Sequence, residues 1–156
     1  MGHYNIKPTE PQHIVPLIDN LAPSIINEMS ILTSLPVKTV INMTINEAEE
    51  AWTVSGKEGI LCILGIGKKS FLSDVGYPWI LPTIHMSNHT KSFLKGTKPV
   101  LDFWLRKYSH LENYVPAAFT EAIRWLKWAG FSISDAEPIG VNKQLVHKVV
   151  LTRNKL

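Results

Sequence analysis

One segment in the middle of the chain concentrates groups that bind anions. It reads Ile84-His85-Met86-Ser87-Asn88-His89-Thr90-Lys91-Ser92-Phe93-Leu94. The Ser, Asn and Thr side chains can donate hydrogen bonds, and Lys91, Lys95 and Lys98 add positive charge. The segment has no glycine, so side chains crowd any ligand that approaches its backbone. The other reading is a plain, capped, solvent-facing helix start. His85 and His89 stand four apart, and on a helix both could face one metal ion. No third ligand of the right type lies near them, so exposed or capping histidines are expected and no metal site.

Proton transfer needs a base and an acid. Glu49, Glu50, Glu112 and Glu121 are the carboxylates to consider, and the sequence does not choose among them. Tyr108 and Tyr114 are candidate acids, but the expected reading is amphipathic core residues with the hydroxyl at the surface. His110 and His147 stand alone and read as structural. Cys62 lies in the apolar run Gly59-Ile60-Leu61-Cys62-Ile63-Leu64-Gly65, with no cation beside it to lower its pKa. A core thiol is expected there. Trp125 and Trp128 share a helix face with Arg124 and Lys127 close by, as a stacking surface for nucleic acid would require. Burial under a helix is the expected reading, and the same holds for Trp104.

The elements that must position these groups follow from pattern. Residues 3–7 read as a strand. Thr9 as N-cap and Pro11 in the first turn start a helix that runs to about Asn20. Pro23 opens a second helix. After the break at Pro36, Val37 to Met43 suit a short helical piece. Thr44 to Glu47 fit a capping box for a further helix over 45–52. Residues 51–54 and 60–66 read as strands joined by the turn 55–59, a hairpin. Strands follow at 78–83 and 111–115, with a helix of apolar face (Leu101, Trp104, Leu105, Tyr108) between them. A helix from Thr120 to Trp128 ends at Gly130. Strands at 131–134 and 145–152 close the chain. Strands alternating with single helices favour an α/β layer fold with at least one parallel pair.

Composition bounds the function. The 156 residues suit one domain, and 45% hydrophobic with 19% charged residues excludes a disordered chain. Residues 1–78 carry a net −3 and residues 79–156 a net +6. The second half is therefore where an anionic partner would be drawn. The single cysteine, Cys62, forbids an internal disulfide, so a reducing compartment is the default. No signal peptide and no apolar stretch of about 20 residues is visible, which suggests a soluble cytoplasmic protein. No zinc, helix-turn-helix or RNA-binding signature is present, so nucleic acid is an unlikely partner.

Two runs carry a resemblance. These are Gly76-Tyr77-Pro78-Trp79-Ile80-Leu81-Pro82-Thr83 and Leu111-Glu112-Asn113-Tyr114-Val115, the latter followed by Ala122 to Phe131. With Glu49-Glu50-Ala51-Trp52 and His147, they resemble small GNAT-like proteins of tailed phages, called internal virion protein A. The element order is similar to the GNAT N-acyltransferase fold. The resemblance implies an α/β fold over residues 1–156, with a central mixed sheet and helices on both faces. It implies a phage protein acting through contacts with phage or host proteins, in virion assembly or host modulation. Its location would be the host cytoplasm or the virion.

The same fold implies acetyl-CoA as the ligand, with Leu81, Thr83, Asn88, His89, Thr90, Lys91 and Ser92 placed to hold it. The chain departs from the family's pattern where an active enzyme keeps Asn and Tyr, at Phe119 and Leu126. The alternatives are therefore an active acyl-CoA-dependent N-acetyltransferase and a module for a small phosphorylated ligand. An open cleft between strands 78–83 and 111–115 would favour the enzyme. A cleft plugged by Phe119 and Leu126 would favour protein contacts.

Overall fold

The computed structural model describes residues 4–70, 72–140 and 142–153. In chain order the elements are β1 (Asn5–Pro8), α1 (Ile14–Asp19), α2 (Pro23–Leu32), α3 (Val37–Asn46), β2 (Glu50–Gly56) and β3 (Gly59–Gly67). Then come β4 (Val75–Pro82), α4 (Thr90–Lys107), β5 (His110–Pro116), α5 (Thr120–Ala129), β6 (Ser132–Ile133), β7 (Glu137–Ile139) and β8 (Gln144–Thr152). Short 3₁₀ turns, Pro11–His13 and Ile84–His89, lead into α1 and α4. The strands form one sheet in the order β1-β2-β3-β4-β5-β8-β6, with β7 also pairing β8. Among the described residues only β4 and β5 pair in parallel, so the sheet is mixed.

The run 59–67 is apolar throughout because β3 is buried on both faces. Ile63 packs with Leu17, Ile41 and Leu81 on the side of α1 to α3. Ile66 packs with Leu101, Trp104, Leu105 and Leu111 on the side of α4. Successive side chains of a strand point to opposite faces, so one strand feeds two cores. Cys62 is fully buried in this run, and burial pushes its thiol up to about 12, as expected of a core thiol. The helix ends follow local chemistry. Pro23 stands in the first turn of α2, and Gly130 ends α5 in the left-handed region at φ 103°.

Several sequence-based expectations are corrected. Thr44 does not cap a helix: its hydroxyl donates to the Val40 carbonyl at 2.8 Å within α3, which runs unbroken to Asn46. The strand β2 starts at Glu50, where a helix over 45–52 was expected. Glu10, not Thr9, stands at the start of the first helical turn, and Thr9 instead bonds Thr53 at 3.0 Å. The helix expected near Val100 begins at Thr90 and carries Pro99 inside it. Trp104 is buried, but Trp128 is 52% exposed, with Lys98 Nζ 4.6 Å from its ring centroid. The strand β7 had no expectation at all.

The parallel pairing of β4 and β5 is brief. It joins Val75 to His110 and Gly76 to Leu111 and goes no further. Pro78 explains the stop, because it has no N–H to give to β5. Its carbonyl does face β5, and the Asn113 side-chain amide donates to it at 2.6 Å. Beyond this strut, β4 continues against β3 as far as Pro82, and β5 continues against β8 as far as Pro116. A gap opens in the middle of the sheet.

Candidate active site

The gap holds a cavity of about 790 Å³. On one side it is lined by Phe93, Gly96 and Val100 of α4 and by Ala122, Trp125 and Leu126 of α5. On the other it reaches Ile25, Glu28, Met29 and Leu32 of α2. Pro78, Trp79, Ile80 and Leu81 of β4 and Asn113, Tyr114 and Val115 of β5 form its walls. The cavity therefore passes through the sheet. Phe119 and Leu126 line it without closing it.

Glu28 is the group that sequence reasoning missed. Among the described residues its carboxyl group has no hydrogen bond or ion pair. Burial raises its carboxyl from the usual range to about 7. A desolvated carboxylate favours its neutral form, and at neutral pH this one is poised to take or give a proton. The signal lay in α2. Ile25, Met29 and Leu32 make an apolar stripe at helical spacing, and Glu28 sits within it. The turn between β7 and β8 braces the end of that helix, where a Cβ on Gly140 would stand 3.3 Å from the Ile31 carbonyl oxygen.

The expected bases are committed elsewhere. Glu50 lines the cavity, but it accepts from Trp52 at 3.1 Å, from Trp104 at 2.8 Å and from Lys107 at 2.9 Å. Burial pushes its pKa up, yet these bonds outweigh burial and the net shift is downward. Glu112 accepts from Tyr77 at 2.9 Å and pairs with Lys148 at 3.3 Å, and again the bonds outweigh burial. Glu49 pairs with Lys68 at 3.7 Å. Glu121 is exposed in the first turn of α5. Of the two tyrosines, Tyr108 is buried in the core under α4, which raises its pKa, and it does not line the cavity. Tyr114 does line it and is 41% exposed.

The residues expected to hold a cofactor are split. Leu81, His89 and Ser92 line the cavity. Thr83 does not: its hydroxyl donates to the Ile60 carbonyl at 2.7 Å and accepts from the His85 amide, so its side chain is spent on the fold. Asn88, Thr90 and Lys91 are exposed outside it, and the Thr90 hydroxyl donates to the Ser87 carbonyl at 3.3 Å. His89 ties three elements together. Its Nδ1 bonds the Tyr4 hydroxyl at 2.7 Å and its Nε2 bonds Glu58 Oε2 at 2.8 Å. Neither ring nitrogen is free for a metal shared with His85. Hydrogen bonding and charge from His89 hold the Glu58 carboxyl below its usual range. Lys98 lies over Trp128, away from the start of α4. His147 Nδ1 donates to the Ser134 carbonyl at 2.7 Å, a structural role as expected.

No protein-family model and no curated protein matches this chain. Solved structures do. Ard1 from Thermoplasma volcanium superposes with a TM-score of 0.74 at 14% identity, covering 98% of this chain and 99% of that one. The spermidine N-acetyltransferase of Vibrio cholerae, in complex with CoA and spermine, gives 0.71 at 11% identity, covering 97% and 96%. The chain has the GNAT acetyltransferase fold: a central mixed sheet flanked by helices. At such identities the likeness extends to the fold alone.

Proposed function

We propose that this protein is an acyl-CoA-dependent N-acyltransferase. One observation carries the reading: the sheet is opened between β4 and β5, and the cavity in that opening joins the α4–α5 side to a desolvated carboxylate on the α2 side. The solved neighbours support it, since one of them holds CoA. The cavity residues fit an acyl thioester with an extended amide arm. Ile80 and Leu81 of β4 flank a stretch with no neighbouring strand on its β5 side, and the α4–α5 wall is apolar. The thioester supplies an electrophilic carbonyl carbon.

The chain's residues do the rest. Glu28 takes a proton from an incoming ammonium and leaves a neutral amine. The amine lone pair forms a C–N bond to the carbonyl carbon as the C–S bond breaks. The sulfur leaves as thiolate and takes a proton from the Tyr114 hydroxyl, which recovers one from the acylated nitrogen. The amide and free thiol are the products, and Glu28 releases its proton to water. Asn113 ties β5 to β4 at the edge of the gap through the Pro78 carbonyl, and apolar side chains line the space beyond it.

The reading of a phage protein working through protein contacts, with its host-cytoplasm or virion location, rests on the sequence resemblance at 76–83, 111–131, Glu49 to Trp52 and His147. The open cleft favours the enzyme instead. The test is thiol release from acetyl-CoA in the presence of a panel of amines, for the intact protein and for Glu28→Gln. The reading predicts amine-dependent release that falls at least about 100-fold in the variant. Release that Glu28→Gln leaves unchanged would refute the assigned base.

A further inference from the structure

The geometry points to an apolar monoamine as the acyl acceptor: one ammonium group on a hydrophobic body, with no carboxylate and no second cation. This deepens the acyltransferase reading and rests on it. On the α2 side of the gap the lining is Ile25, Met29 and Leu32 of α2 with Trp79 of β4. Glu28 supplies the one carboxylate there, and among the described residues nothing else neutralises it. Glu50, the other carboxylate in the lining, is held by two indoles and Lys107, and Glu112, outside it, is held by Tyr77 and Lys148, so neither serves a second ammonium. A polyamine would leave its second charge among alkyl and indole groups, an environment that disfavours any unpaired ion. An amino acid fares no better. Among the described residues no Lys or Arg lines the cavity, so its carboxylate would face Glu28 without a counter-ion.

The apolar body has a place to go. The side chains of α2 and Trp79 offer packing surface, and burying an alkyl or aryl group against them is favourable. Reaction follows the balanced course above: ammonium to amine with the proton on Glu28, C–N formed, C–S broken, thiol released.

Three amines separate the cases with acetyl-CoA as donor: 2-phenylethylamine, phenylalanine and spermidine. The first two share one hydrophobic body and differ by a carboxylate. The inference expects kcat/KM for 2-phenylethylamine to exceed both others by at least about tenfold. It also expects 2-phenylethylamine to raise the melting temperature of the protein at about neutral pH, and Glu28→Gln to abolish that rise. Spermidine or phenylalanine turning over as fast as 2-phenylethylamine overturns the inference and leaves the acyltransferase reading standing. Acetyl-CoA that binds while no amine is acylated also overturns it. Failure of acetyl-CoA to bind at all removes both.

Discussion

At the residue scale, Glu28 has a cost as well as a use. Its folded-state pKa is raised to about 7, so the fold prefers the neutral acid. The associated stability is present below the unfolded value near 4.5 and is lost as pH rises through 7. Glu28→Gln, which cannot ionise, should therefore stabilise the protein at about pH 8 by up to about 3 kcal/mol. The gain should vanish near pH 4.5, and melting curves at both pH values check it. If Glu28 is also the base, kcat/KM should rise with pH through about 7 and that limb should disappear in the variant. Trp125 gives a second prediction. Its indole N–H is buried with no partner among the described residues, so Trp125→Phe removes an unsatisfied donor and keeps a smaller aromatic ring. Thermal melting should show no loss of stability, whereas a typical core substitution costs about 1 kcal/mol or more. Neither feature was legible from sequence by residue type alone. A glutamate within an apolar stripe of α2 was visible, but its lack of a partner depends on which elements surround it.

At the element scale, the site is made by an interrupted strand pair. Pro78 stops the β4–β5 ladder and Asn113 braces the two strands across the break. Asn113→Ala should leave the Pro78 carbonyl without its donor and lower stability by about 1–2 kcal/mol, measured by denaturant unfolding. The start of α4 is clasped by His89 to Tyr4 and Glu58. Glu58 brings a carboxylate to a helix start that would otherwise favour an anion. Glu58→Gln should tighten acetyl-CoA binding by about threefold in low salt and less in high salt, as calorimetric titrations can read. The strands and α5 were legible because turn residues and Gly130 punctuate them. The apolar spacing of Leu101, Trp104, Leu105 and Tyr108 marks only the second half of α4; packing of Leu101, Trp104 and Leu105 anchors a helix that runs through Gly96 and Pro99 from Thr90. The capping box at Thr44 was misread for a similar reason: the same hydroxyl can cap a helix or bond back to the preceding turn, and tertiary packing decides.

At the scale of the whole molecule, the order of strands and helices was readable from the sequence except for β7 and the helix expected over 45–52, and whether the cleft between β4 and β5 is open was not. Order depends on local patterns, whereas the cavity depends on where one ladder stops and which side chains meet across it. The positive second half also changes meaning. Lys98 is engaged with Trp128, and among the described residues the cavity has no lysine or arginine in its lining. The charge lies outside the described lining, so it acts on an anionic donor through the long-range field rather than by direct contact. The central claim is that this opened sheet takes an acyl-CoA. Isothermal calorimetry of this 156-residue chain with acetyl-CoA tests it most directly. The account predicts saturable binding at one site per chain, with a matching rise in melting temperature. No heat and no rise at roughly millimolar acetyl-CoA would contradict it.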